Sequence, residues 1–169
     1  MKRLLLAICL VFIVLPTEVL AEQKPILDCN KYKTNQLICS ACNIYHEARG
    51  EHDNGKFAVA LVTKNRVEAD SRLFPNTTCS VVWETTTKRT TGRKVGMFSW
   101  TTNGKSDKVY DKKSWKKALV IAKKVQNNQV NDITNGAVYF HEVSVRPVWR
   151  KRCIQTTKIG AHVFYKLLT

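Results

Sequence analysis

Residues 45–52 read YHEARGEH. His46 and Glu47 open the H-E-x-x-H pattern with which a helix presents two histidines to zinc, but Gly50 stands where the second histidine belongs. Zinc held from one helix face needs imidazoles at i and i+4, whereas the next histidine is His52, beyond a glycine that ends helices. His141 and His162 could supply distant ligands, but a lone histidine beside a strand is more often hydrogen-bonded structure. The expectation is an acid, Glu47, in the last turns of a helix, working with no metal and no other cofactor.

Working outward, apolar residues Leu37, Ala41, Ile44 and Ala48 recur every three or four positions over 35–49, with Ile38, Cys42 and Tyr45 on an adjoining stripe. This is the period of a buried amphipathic helix, which Gly50 stops. Asn54 is placed to cap a second, strongly apolar helix through about residue 67. A short helical turn is expected over 80–84, an exposed basic loop over 85–96, and a third long helix over 112–127. That last helix turns Trp115, Ala118, Leu119, Ala122 and Val125 inward. Residues 137–141 and 161–165 read as short strands. The fold class expected is mainly α (α+β), one domain with a small β element.

At the N-terminus, Lys2 and Arg3 precede an apolar run over 4–15 and a Val-Leu-Ala ending at Ala21. This is the pattern of a secretory signal peptide, too short for a membrane span of roughly 20 residues. Residues 1–21 are therefore expected to be a cleaved leader and 22–169 one domain, secreted or periplasmic, monomeric and without a stable membrane anchor. Of the six cysteines, Cys9 falls in the leader. Cys29, Cys39, Cys42, Cys79 and Cys153 would form up to two disulfides in an oxidising compartment and leave one thiol over. The sequence alone leaves the pairing open. The arrangement expected is Cys79 with Cys153, alongside Cys29 with Cys39 or Cys42. A redox role for Cys39-Ser-Ala-Cys42 is disfavoured, because the pair lies inside a helical pattern.

The formal net charge is +15. Outside the cytoplasm such a chain is drawn to anionic wall polymers, and no nucleic-acid-binding motif accompanies the scattered Lys and Arg. The plain alternative is a solvated basic surface.

Burial disfavours the carboxylate ion, and Glu51 close by would add repulsion, so Glu47 can stay protonated near neutral pH and protonate a glycosidic oxygen. Set against that is an ordinary ion pair with Arg49 or a lysine. A resemblance separates the two. NIYHEARGE at 43–51, Gly55, AVA at 58–60, NRV at 65–67, FP at 74–75, CSVV at 79–82, FSW at 98–100, AVYFH at 137–141, PVW at 147–149 and IGAHVFY at 159–165 together resemble the SleB/CwlJ-type cell wall hydrolases. These are similar to spore cortex-lytic enzymes. The resemblance implies a lysozyme-like catalytic domain acting on peptidoglycan, with Glu47 as its acid.

Most glycosidases use two carboxylates. With one convincing acid, the muramyl 6-hydroxyl can attack its own anomeric carbon, which is lytic transglycosylation. Glu51 is the candidate second carboxylate, though capping backbone amides or pairing with Arg49 suits it better. Tyr45, Phe98, Trp100 and Trp149 offer flat faces for sugars, and Asn43, Ser99 and His141 offer hydrogen bonds. Asn65 and Arg66 are expected to brace the Glu47 helix. The chain lacks the Gln and the cysteine that members often carry beside Phe-Ser-Trp, which leaves Cys79 to find another partner. Two other classes remain: a metal-dependent amidase or peptidase of the same wall, and a non-catalytic cationic wall-binding protein.

Overall fold

Asn35 caps the first helix: its side chain accepts from the Ile38 amide at 3.1 Å, and helix α1 runs Gln36–Ala48. The computed structural model describes residues 23–168. The expected leader lies outside them.

Four helices carry the core. Beside α1 stand α2 (Asp53–Glu68), α3 (Thr78–Val82) and α4 (Lys112–Gln126), all packed against α1. Helix α2 begins at Asp53 with His52 as its uncapped start, so Asn54 is not its cap. Through its apolar middle, α2 buries the successive residues Ala58, Val59, Ala60, Leu61 and Val62, as a helix enclosed on several sides must. Helix α4 is capped by Asp111, which accepts from the Lys113 and Ser114 amides. It buries Trp115, Ala118, Ile121, Ala122 and Val125 and turns a row of lysines to solvent. Leu119 is only partly buried, and the inward place beside Ala122 belongs to Ile121.

Three antiparallel sheets complete the fold of the described residues. Strands β1 (Leu27–Asp28) and β4 (Lys108–Val109) form a short pair. Strands β2 (Thr85–Thr87) and β3 (Lys94–Gly96) form a hairpin in the stretch expected to be a loop. Its threonines favour extended backbone but offered no apolar alternation from which a strand could be read. The third sheet has the order β5-β7-β6, with β5 Tyr139–Glu142, β6 Cys153–Ile159 and β7 His162–Leu167. Strand β6 was not expected. Its CIQTTKI sequence is mostly polar, and a bulge between Gln155 and Thr157 interrupts its register. Phe164 joins this sheet to α2 through Ala58, Val62 and Ala137.

The disulfides correct one expectation and bear out part of another. Cys29 bonds Cys42 and Cys39 bonds Cys79, while Cys153 is a free thiol at the start of β6. Cys79 lies on α3, directly against α1, and is far better placed for Cys39 than for the sheet that holds Cys153. Cys39 and Cys42 thus each tie α1 to a different neighbour and do not act as a redox pair. Among the described residues no helix is long and apolar enough to cross a membrane.

Candidate active site

Glu47 projects from the last turn of α1 into a cleft of about 460 Å³. Ser99, Phe140, His141, Glu142 and His162 line the cleft with it. Its far side reaches α2 at Arg66 and the 3-10 turn Ser99–Thr102. Oε1 of Glu47 is enclosed and has no protein hydrogen-bond partner. Burial is the main reason its pKa rises from 4.5 to about 7; Glu142 adds repulsion, whereas Arg66 and the Trp100 and Ser99 amides favour the ion. The acid is therefore still substantially protonated at neutral pH.

The sign of this shift gives a stability prediction. A carboxyl whose folded-state pKa lies above its unfolded value contributes stability that is complete below about pH 4.5 and is lost as pH rises through about 7. Glu47→Gln, which cannot ionise, should therefore be more stable than wild type above pH 7, by on the order of 3 kcal/mol, with the gap closing below pH 4.5. Thermal melts at pH 4 and pH 8 read this directly; a variant less stable at both would contradict the burial argument.

Arg66 is nearly fully buried. Its Nε donates to the Val138 carbonyl at 2.7 Å, and its guanidinium lies 4.7 Å from the Phe98 ring centroid. Asn65 Nδ2 donates to Thr134 Oγ1, Asp132 Oδ2 and the Ala137 carbonyl. Both residues hold the loop that leads into β5, not α1, so the bracing expected of them acts on the opposite wall of the cleft.

Three of the residues expected at the substrate are used inside the core. Asn43 is 0% exposed; its Nδ2 donates to Thr63 Oγ1 at 3.1 Å and its Oδ1 accepts from Trp100 Nε1 at 2.9 Å. This pair pins the Ser99–Thr102 turn to α1 and so sets the amides that face Glu47. Trp100 is itself buried, stacked on His46 with ring centroids 4.5 Å apart. Tyr45 is 1% exposed, and its hydroxyl accepts from the Tyr110 and Asp111 amides at the start of α4. Of the three, only Tyr45 was placed on α1's buried stripe by apolar periodicity; the polar ends of all three find partners inside the core. Phe98 is equally buried but forms the cleft floor beneath Arg66. Ser99 and His141 line the cleft, and His141 Nε2 lies 3.0 Å from the Tyr165 hydroxyl.

Glu51 lies outside that lining. Its Oε2 accepts from the Ala161 amide at 3.3 Å and Oε1 stands 4.0 Å from His162 Nδ1. The turn it grips contains Gly160, at φ +58, where a Cβ would overlap Glu51 Oε2. This is the amide-capping role expected of Glu51, and it ties the end of α1 to the β6–β7 turn. Gly160→Ala should lower stability by roughly 1 to 3 kcal/mol through φ strain and that overlap, read as a fall in melting temperature; an unchanged melt would contradict the close packing.

A second groove, about 830 Å³, continues from the cleft and shares Arg66, Met97, Ser99 and Phe140 with it. Trp149 lines this groove together with Tyr139, their rings 5.4 Å apart. Glu142, Tyr139 and Phe140 are cleft or groove residues to which sequence reasoning gave no role, and His162, weighed there only as a remote metal ligand, lines the cleft as well. Glu142 did carry a signal: it is the last acidic residue of the chain and adjoins His141.

The cell wall hydrolase family model matches residues 50–165, a span that begins just after Glu47. The spore cortex-lytic enzyme of Bacillus cereus is 32% identical over 137 residues, covering 81% of this chain and 46% of that protein. The chain thus spans about half the length of the curated relatives it matches. The catalytic domain of the germination-specific lytic transglycosylase SleB from Bacillus anthracis superposes with a TM-score of 0.57 at 31% identity, covering 81% of this chain and 98% of that one. The catalytic domain of Bacillus cereus SleB gives 0.56 at 29%, covering 78% and 90%. With a family match over most of its described length and the same α+β fold in both solved domains, this chain belongs to the cell wall hydrolase family.

Proposed function

We propose that this chain cleaves the glycan strand of peptidoglycan between MurNAc and GlcNAc, with Glu47 as the single acid and base. Glu47 donates its proton to the glycosidic oxygen as the bond to the muramyl anomeric carbon breaks. The ionised Glu47 then takes the proton of the muramyl 6-hydroxyl as that oxygen bonds to the same carbon. A 1,6-anhydro end results and the glutamic acid is restored. The observation that carries this reading is a carboxyl with a pKa of about 7 in an open cleft continuous with an aromatic groove. Ser99 and His141 are proposed to hydrogen-bond the sugar, Phe98 to floor the cleft and Trp149 to stack on a ring. Asn43, Tyr45, Trp100 and Glu51 are proposed to act by positioning.

One observation favours a second reading, hydrolysis: Glu142 lines the same cleft and could direct water. In the first reading Glu142 only repels the Glu47 ion. Activity should then fall as pH rises through about 7, and Glu142→Gln should move that limb to lower pH, as a pH profile of kcat/KM would record. Loss of all activity in Glu142→Gln would favour hydrolysis.

The experiment for the bond class is digestion of purified sacculi in EDTA. Release of disaccharide-peptides is expected; free stem peptides, or activity that EDTA abolishes and zinc restores, would point to the amidase class. Action outside the cytoplasm is supported by the two disulfides. The lysine face of α4 suits anionic wall polymers. Binding to sacculi should therefore weaken steeply as salt rises toward 0.15 M, where charges are screened beyond about 8 Å. Binding indifferent to salt would place the affinity in the cleft alone.

A further inference from the structure

Where a stem peptide is attached, the lactyl carboxyl is an amide and the sugars themselves carry no charge, yet the groove that extends the Glu47 cleft is strongly cationic. Lys88 and Arg93 stand on the β2–β3 hairpin along one wall, Arg152 on the 3-10 turn Val148–Arg152 along the other, and Arg66 at the base. No Asp or Glu is among the lining residues, and none of these four cations is salt-bridged among the described residues. Arg66 Nη1 is enclosed without a protein partner. Facing like charges across a concave surface repel one another and attract a multivalent anion. Because the groove and the cleft share Arg66, Met97, Ser99 and Phe140, its occupant adjoins the sugar at Glu47. On a peptidoglycan strand the anion in that position is the stem peptide of the muramyl residue, with its several carboxylates.

We propose that this groove is a binding site for the carboxylates of the stem peptide, which makes the chain selective for peptide-bearing glycan over bare glycan. The Lys88 ammonium and the Arg93 and Arg152 guanidinium groups pair with peptide carboxylates, while Tyr139 and Trp149 cover the peptide's apolar side. This inference rests on the glycan-cleaving reading above and adds the substrate class.

The test compares kcat/KM on soluble glycan oligomers that carry stem peptides and on the same oligomers after the peptides are removed. Stripped oligomers keep one lactyl carboxylate per muramyl residue, so the comparison isolates the peptide. Wild type should prefer the peptide-bearing oligomers by on the order of tenfold, as a few partly screened ion contacts allow. The double variant Lys88→Glu/Arg93→Glu, changed at exposed positions on the hairpin, should bring the ratio close to one through a higher KM, with Arg152→Gln shifting it the same way. The same charge change away from both the groove and α4, at the exposed Lys24→Glu/Lys31→Glu, should keep the preference. Equal wild-type activity on both substrates, or a ratio unmoved by the hairpin reversal, overturns the proposal. Cleavage of neither substrate overturns the glycan-cleaving reading itself, and this site with it.

Discussion

Glu47→Gln is expected to lower turnover on peptidoglycan by roughly 10² to 10⁴, the usual worth of a general acid, while binding to sacculi persists. Gln preserves size and removes only the transferable proton, so the loss would lie in chemistry and not in assembly. The same variant should be the more stable protein above pH 7, because the wild-type carboxyl must ionise in an enclosed site that raises its pKa to about 7. Lower activity joined to higher stability separates a catalytic carboxyl from a structural one. Glu51→Gln should show the opposite balance. Its carboxylate accepts from Ala161 and faces His162, so its loss should appear as a lower melting temperature with most turnover kept. Kinetics and melts on both variants check the pair; a Glu47→Gln protein that retains activity would remove the acid from the account.

Removing the Cys39–Cys79 bridge, by the double change to Ala, is expected to cost roughly 3 to 4 kcal/mol. The bridge closes a separation of 40 residues, and loop-closure entropy of that order follows from its length. That is a large share of the 5 to 15 kcal/mol typical of a domain. Both sulfurs are buried in the main core, where α3 meets α1, so truncation also leaves poorly filled space. Denaturant titration of the double variant measures the cost. The Cys29–Cys42 bridge spans only 13 residues and should contribute less. A loss smaller for Cys39–Cys79 than for Cys29–Cys42 would contradict the loop-length argument.

The helices were legible because their signals are local. Asn35 and Gly50 bracket α1, and the three-to-four spacing of Leu37, Ala41, Ile44 and Ala48 fixes its buried face. Strand β6 and the β2–β3 hairpin were not, because CIQTTKI and the threonine-rich 85–87 lack the alternation that marks a half-buried strand. Strand β6 pairs with β7 and β2 with β3, each the next strand along the chain, so the missing signal was apolar alternation and not a remote partner. Glu47's place at the cleft could be read from the motif, but its raised pKa comes first from the degree of burial, then from the opposing pull of Arg66 and the repulsion of Glu142, all of which only the tertiary fold sets. Asn43, Tyr45 and Trp100 carried the chemistry of sugar contacts, and residue type alone cannot separate that from the chemistry of a satisfied core. The hydrogen bonds of Asn43 to Thr63 and Trp100 make the distinction. Cys79 shows the same limit, since its pairing with Cys39 follows from how α3 lies on α1.

Mass spectrometry of the muramyl ends released from peptidoglycan by the EDTA-treated wild-type chain tests the central claim most directly. Attack of the 6-hydroxyl assisted by Glu47 predicts 1,6-anhydro-muramyl ends, one water lighter than hydrolytic ends, and new ends of either kind reduced by roughly 10² to 10⁴ in Glu47→Gln. Reducing muramyl ends in their place would contradict single-glutamate transglycosylation and assign water as the nucleophile, with Glu142 as the carboxylate to examine next.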